Sequence, residues 1–300
     1  MSTYSINDLE KLSGIKSHTI RIWEQRYHLL EPGRTDTNIR YYTDDDVIKI
    51  MNISILNQNG YKISKISQLG DNRIREIMLQ LKDEAPSLHT QTESLVLSML
   101  ELDEIHFNRV FDQSVSQIGF ENTIEHLTFP FLERVGILWL AGTVNPAQEH
   151  FITNLIRQKL IVAIDHEREK TQGDRPRILF YLPEGELHEI GLLYYNYLAR
   201  KADFEVLYLG SSVPFRDIIR VNEIRPVQMI FTSFVVFPGQ GVLVEKIKRL
   251  KKTFPDKALL VSGWQIKQEQ PKLPDNFRKI ASSSDFKKAL ASYLKKGKIK

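Results

Sequence analysis

The sequence has no cysteine among its 300 residues, which excludes disulfide bonds and thiolate metal sites. It also has no apolar run near the ~18 residues that cross a membrane. The first residues, MSTYSINDLEKL, lack a basic region followed by an apolar run, so no secretory signal is expected. With 42% hydrophobic residues, the chain can form the packed cores of two or three domains. We therefore expect a soluble cytoplasmic protein that does not associate with a membrane.

The net charge of +4 does not by itself indicate nucleic-acid binding. Between Asp285 and Lys300 there are six lysines and one aspartate, a net charge of +5, so this tail accounts for the whole excess. A lysine-rich terminus is most often a solvated end. Any argument for DNA binding must rest on residues elsewhere in the chain.

Residues 1–80 have the pattern of a winged helix-turn-helix domain. Ser5 can cap a first helix, Gly14 marks a turn, and Ser17 can cap a second helix, HTIRIWEQRYHLL. The turn residues of EPGRTDTN then precede IRYY, which is typical of a short strand and would form the wing. In such domains the second helix enters the major groove, and flanking groups contact phosphates.

Two further segments complete a mixed fold. Apolar residues recur at helical spacing through 85–172, without strand patterns, which predicts an α-helical four-helix bundle. Residues 173–300 alternate short apolar runs with helix patterns, which predicts a doubly wound α/β domain with a parallel, Rossmann- or flavodoxin-like sheet. Ligands of such sheets bind at the carboxyl ends of the strands.

The first segment resembles the MerR family of transcription regulators over YSINDLEKLSGIKSHTIRIWEQRYHLLEPGRTDTNIRYYTDDDV. The resemblance implies binding of double-stranded promoter DNA as a dimer. Trp23 and Ile22 are expected in the core, one of Tyr41 and Tyr42 can face inward, and Arg26 could instead pair with a nearby glutamate. The candidate DNA-binding residues on the helix and the wing are His18, Thr19, Arg21, Arg26, Tyr27, Arg34, Arg40 and Tyr42.

The stretch ELHEIG follows the first predicted strand of the α/β segment. Its His188 could be structural, could act with Glu186 as an acid–base pair, or could ligate a metal with a carboxylate on its other ring nitrogen. The stretch alone leaves all three roles open.

Small residues at the ends of later predicted strands favour one of the three roles of His188. ELHEIG, then SFV, then SG, resemble the cobalamin-binding module, whose pattern is Asp/Glu-x-His-x-x-Gly, Ser-x-Leu and Gly-Gly. Valine stands for the usual leucine, and serine for the first glycine, where it could crowd the buried nucleotide tail. The resemblance implies that His188 is the lower axial cobalt ligand and that Glu186 orients it. The matching cofactor-binding candidates are Glu186, His188, Gly191, Ser233, Val235, Ser262 and Gly263.

The helical segment contains WLAGTVNPAQEH, which resembles the Trp-x9-Glu-His signature of the CarH and LitR type of light-responsive MerR regulators. The resemblance implies that Trp139, Glu149 and His150 cover the upper face of adenosylcobalamin. Members that form a bis-histidine cobalt adduct after illumination carry a second histidine directly after the tryptophan. Here that position is Leu140, which cannot ligate cobalt.

Together these motifs predict a cobalamin-sensing transcriptional repressor, a homodimer or homotetramer that could respond to light through adenosylcobalamin. A MerR-like regulator that has lost its response to light or cobalamin is an alternative, motivated by Leu140 and Ser262. A corrinoid methyl-transfer module is a third hypothesis. The DNA-binding segment argues against it, because methyl transfer needs no such segment, and we expect that the chain is not an enzyme.

Overall fold

The structure is a computed structural model, and it describes residues 3–35, 37–58, 60–70, 73–74, 77, 88–140, 143–167, 175–235 and 241–297. Two compact units divide the chain, Met1–Leu155 and Ile156–Lys300. The predicted domain boundaries, between 80 and 85 and at 172/173, fall mostly on residues outside these ranges. They remain predictions.

The first unit begins with short helices and a two-stranded hairpin. These elements are α1 (Ile6–Ser13), α2 (Ser17–Tyr27), β1 (Gly33–Arg34), β2 (Arg40–Tyr41), α3 (Asp44–Gln58) and α4 (Ile63–Ile66). The strands β1 and β2 pair antiparallel and form the predicted wing. A bridge between Tyr4 and Tyr42 ties the N-terminal segment to the wing.

Helices fill the region of the predicted bundle. They are α5 (Leu88–Glu101), α6 (Glu104–Ile118), α7 (Phe120–Thr123), a π-helical segment (Ile124–Thr128), α8 (Phe129–Leu140) and α9 (Pro146–His166). The helix from α7 through α8 is continuous, because its π-helical turn joins the two α-helical parts. The boundary between the two compact units falls inside α9.

The second unit contains a five-stranded, fully parallel sheet in the order β4-β3-β5-β6-β7. Its elements are β3 (Arg177–Pro183), α10 (Ile190–Lys201), β4 (Glu205–Val213), α11 (Phe215–Ile224), β5 (Met229–Ser233), α12 (Val242–Thr253), β6 (Ala258–Ser262), α13 (Trp264–Glu269), β7 (Phe277–Lys279) and α14 (Ser283–Gly297). The chain leaves β3 toward β4 on one side and returns to β5 on the other. This reversal creates a switch point at the carboxyl end of β3, where doubly wound domains bind ligands.

Within the part of the chain that the structure describes, no helix combines the length and hydrophobicity that a membrane span requires.

Candidate functional site

The second helix of the helix-turn-helix is held by the first. Ser5 and Asp8 form the expected capping box at the start of α1. Ser17, in contrast, is the first helical residue of α2 and does not cap it; the Glu10 carboxylate of α1 accepts hydrogen bonds from the Ser17 hydroxyl (2.5 Å) and backbone N–H (2.9 Å). These bonds and Lys16 lower the pKa of Glu10 to about 2. Glu10 thus fixes the start of α2, a contact that local sequence patterns did not indicate.

One face of α2 is open to solvent. Its side chains recur at positions i, i+3, i+4, i+7 and i+8: His18, Arg21, Ile22, Gln25 and Arg26. The predicted residues His18, Arg21 and Arg26 therefore lie on one accessible surface, while Thr19 is half-buried beside it. The expectation that Ile22 is a core residue was wrong, since its side chain is 51% exposed. Trp23 is half-buried against the core, as expected.

Burial separates the two wing tyrosines. Tyr42 is fully buried, and its hydroxyl donates to the Glu24 carboxylate at 2.5 Å. Burial and this carboxylate raise the pKa of the Tyr42 hydroxyl. A buried ring cannot touch DNA directly, so the structure makes Tyr42 a support of the wing and leaves Tyr41 partly exposed. The alternation along the strand decides this, because adjacent side chains point to opposite faces.

The remaining predicted DNA-binding side chains flank this surface. Arg40 lies 3.7 Å from Glu24 with about a third of its side chain exposed, and exposed Arg34 donates to Asn38 at 2.6 Å. Arg26 lies over the ring of the half-buried Tyr27, 5.4 Å from its centroid. Arg26 therefore has an aromatic neighbour on its own helix and stays exposed.

The ELHEIG stretch forms a polar cluster at the carboxyl end of β3. The Nδ1 atom of His188 lies 2.6 Å from Oε1 of Glu186, whose Oε2 accepts the backbone N–H of Val235 at 2.9 Å. The side chain of Glu186 is 7% exposed and that of His188 is 59% exposed. A buried carboxylate, itself held by backbone N–H groups, thus orients a solvent-facing imidazole, and Nε2 is the ring atom positioned to coordinate a metal.

The predicted small residues lie at neighbouring strand ends. Ser233 and Ser262 are register partners of β5 and β6, and the Ser262 hydroxyl donates to the Ile280 carbonyl at 2.9 Å. Gly263 has φ +104°, and a Cβ there would lie 2.2 Å from the Phe234 carbonyl oxygen, so this position requires glycine. The Ser262 hydroxyl therefore donates to the carbonyl of the residue that follows β7.

Gly191, in the first turn of α10, is different. A Cβ built there would meet no atom within 4 Å, and its φ lies outside the left-handed region. The fold does not require glycine here, while glycine costs a helix about 1 kcal/mol relative to alanine. Open space beside Gly191 thus follows the loop that carries the oriented imidazole of His188.

The residue after His188 is anchored separately. Glu189 accepts a hydrogen bond from the Tyr208 hydroxyl at 2.7 Å and lies 3.4 Å from the guanidinium of Arg157. Burial and this carboxylate raise the pKa of the Tyr208 hydroxyl. These contacts anchor the loop of His188 at the residue that follows it, while Glu186 anchors the loop at the residue two positions before it.

The predicted cap residues belong to the first unit. Trp139 is the penultimate residue of α8 and is 51% exposed, and the exposed His150 pairs with Glu149 through Nδ1 and Oε2 at 2.7 Å. Glu149 and His150 are thus brought together on α9. Leu140 is the last residue of α8, and its side chain lies outside the described part.

Comparison with known protein families matches the helix-turn-helix region and the helical region that follows it. Residues 4–72 match the family described as MerR HTH family regulatory protein, and residues 91–163 match the B12 binding domain. The chain is 29% identical to the HTH-type transcriptional repressor CarH of Myxococcus xanthus, over 84% of this chain and 86% of that protein. It is 27% identical to the repressor CarA of the same organism, over 71% and 69%. These relatives are transcriptional repressors, in agreement with the prediction that the chain is not an enzyme.

The fold also has a solved counterpart. The Methanosarcina barkeri monomethylamine corrinoid protein aligns with a TM-score of 0.53 and 13% identity, covering 65% of this chain and 94% of that one. The predicted fold classes, helical and doubly wound, are confirmed. The helix-turn-helix implies DNA binding and the B12-binding domain implies cobalamin, so the chain joins a MerR-family regulatory domain to a B12-binding domain.

Proposed function

We propose that the protein is a repressor whose hold on promoter DNA depends on adenosylcobalamin. The exposed face of α2 and the wing would contact DNA through His18, Arg21, Arg26 and Arg34. Phosphate contacts from arginines supply most of the affinity of such domains, while contacts with base edges supply sequence specificity.

The observation that carries the cofactor proposal is the Glu186–His188 pair. Its 2.6 Å contact places a carboxylate on one ring nitrogen, the arrangement that raises the basicity of a metal-ligating histidine and fixes its tautomer. His188 would be the lower axial cobalt ligand. Gly191 would leave room for the ligand, and the small residues Ser233 and Gly263 would allow close approach at the strand ends.

The proposal includes a response to light through the bound adenosylcobalamin. When bound, adenosylcobalamin would supply a cobalt that accepts a nitrogen ligand and a cobalt–carbon bond that light can break. Trp139, Glu149 and His150 are the residues that we propose contact its upper ligand. Because leucine at position 140 cannot coordinate cobalt, a light response in this chain would proceed without a second histidine at that position.

Oligomeric state would connect the cofactor to DNA. When two DNA-binding heads are linked in one assembly, binding of the second becomes intramolecular, and affinity rises without new contacts to DNA. A change from monomer to dimer or tetramer on cobalamin binding would therefore switch repression.

The experiment mixes the purified full-length protein with adenosylcobalamin in the dark, removes free cofactor, and records the absorption spectrum. We expect the wild type to retain the corrinoid and His188→Ala to retain it at least about 10-fold more weakly. Loss of a metal ligand should lower affinity at least as much as loss of a residue that hydrogen-bonds to the ligand. His166→Ala, which removes an exposed histidine of the same unit, is the matched control and should retain cofactor.

The same samples are then tested for DNA binding and size, in the dark and after illumination. A cobalamin-dependent gel shift that light reverses would support the full proposal. A gel shift that is the same with and without cobalamin would instead identify a MerR-like regulator without cofactor response. Equal corrinoid retention by His188→Ala would refute the assignment of the axial ligand.

A further inference from the structure

Ile22 lies in the middle of the exposed face of α2. The other four side chains of that face, His18, Arg21, Gln25 and Arg26, are polar or charged. The fold gives no reason for isoleucine here, because the side chain is 51% exposed and β-branched residues are slightly unfavourable in helices. Its neighbours at the same helical spacing are groups that pair with nucleic acids.

The charge of this face fits a polyanion. Arg21 and Arg26 are exposed on either side of Ile22 along the helix, and no member of the five-residue face is acidic. The one carboxylate of α2, Glu24, is buried on the opposite side between the Tyr42 hydroxyl and Arg40. The fold thus removes the negative charge from the surface that the helix presents.

In the major groove of B-DNA, the C5-methyl group of thymine is the apolar feature that a side chain can recognise, and a bidentate Arg contact recognises guanine. We propose that Ile22 packs against a thymine methyl group and thereby requires thymine at one position of each half-site. The inference rests on the proposed DNA-binding function and adds a specificity-determining residue to it.

The test uses the full-length protein with adenosylcobalamin in the dark, and duplexes that the wild type selects from a random pool under the same conditions. Each thymine of the selected sequence is replaced in turn by deoxyuridine, which pairs identically but lacks the methyl group. We expect one thymine per half-site whose replacement weakens wild-type binding about fourfold, the factor for burying one methyl group. Ile22→Ala should bind the thymine duplex more weakly by a similar factor and should be insensitive to deoxyuridine at that position.

Ile105→Ala is the matched control, because Ile105 is also an exposed isoleucine on a helix of the first unit, at 74% exposure. It should keep the wild-type sensitivity to deoxyuridine. If Ile22→Ala shows the same deoxyuridine loss as the wild type, or weakens binding to all sequences equally, the thymine assignment is overturned. A pool that yields no enriched sequence would refute the proposed function itself, which distinguishes the two failures.

Discussion

At the scale of single residues, two departures from the cobalamin-binding pattern have a physical explanation. Valine replaces leucine at position 235, but the contact made there comes from the backbone N–H of Val235 to Glu186, and any residue except proline supplies it. Serine replaces glycine at position 262, and its hydroxyl is held by the Ile280 carbonyl. Neither departure alters the Glu186–His188 contact.

Glu186→Gln tests the positioning role of the carboxylate. An amide offers one acceptor oxygen where Glu186 uses two, for His188 and for the Val235 N–H. We expect adenosylcobalamin affinity to fall about 10- to 100-fold, as for other residues that orient metal ligands. Titration followed by absorbance measures this in the dark.

The control for this titration is Glu184→Gln, which changes an exposed carboxylate two residues earlier. It should bind cofactor like the wild type. Wild-type affinity in Glu186→Gln would show that hydrogen bonding to His188 does not need a carboxylate.

At the scale of elements, the orientation of α2 relative to α1 depends on a hydrogen-bonding cap that α1 supplies to the start of α2. The Glu10 carboxylate receives both donors of Ser17, so the start of α2 is tied to the last turn of α1. An anionic group is also favourable at a helix N-terminus. This contact orients the face that carries Arg21 and Ile22.

The pKa of Glu10 gives this cap a pH dependence of known sign. The folded pKa of about 2 lies below the ordinary value of 4.5. A depressed carboxyl pKa stabilises the fold fully above the unfolded value, and that stabilisation is lost as the pH falls from 4.5 toward 2. Glu10→Gln should therefore be less stable than the wild type at neutral pH, and the difference should narrow as the pH falls below 4.5.

Urea unfolding of both proteins, followed by circular dichroism between neutral and acidic pH, measures this difference. Glu31→Gln, which changes an exposed glutamate just beyond α2, is the control and should leave the pH dependence unchanged. A difference in the free energy of unfolding between wild type and Glu10→Gln that stays constant from neutral to acidic pH would contradict the proposed cap.

At the scale of the whole molecule, one arginine of the first unit contacts both the helical bundle and the helix-turn-helix region. Arg134 of α8 pairs with the buried Glu93 of α5 (2.7 Å and 3.1 Å), and the same guanidinium donates to the Leu12 carbonyl in the last turn of α1 at 2.5 Å. Burial raises the pKa of Glu93, and Arg134 opposes that rise. This one side chain of α8 therefore bonds α5 and α1.

Arg134→Met should destabilise the protein strongly, because it leaves the carboxylate of Glu93 buried without its partner. Removing one partner of a buried pair costs on the order of 3 kcal/mol, and replacing both with apolar residues recovers much of it. Equilibrium urea unfolding of Arg134→Met and of the double variant Arg134→Met/Glu93→Leu measures both effects.

Arg216→Met, at a well-exposed arginine of the second unit, should change stability little and serves as the control. A loss below about 1 kcal/mol in Arg134→Met, the range of surface pairs, would show that the pair is not structural.

The sequence by itself determined the classes of structure and the candidate residues, since these depend on local patterns. Helical spacing gave the helices, alternating apolar runs gave the parallel strands, and the spacing of ELHEIG, SFV and SG predicted the edge where Glu186 and His188 lie. The resemblance to MerR and cobalamin-binding proteins indicated DNA and cobalamin as the expected partners. All of this information is carried by residues close together in the chain or by a recognisable order of motifs.

Only the tertiary structure decided which side chains are accessible and which distant groups meet. It buried Tyr42 and exposed Ile22, because the packing of α2 and the wing against the core fixes which face points outward. It brought the Val235 N–H to Glu186 across 49 positions, and Arg134 to Leu12 across 122. Such contacts follow from the way strands and helices pack together, which no local pattern of residues specifies.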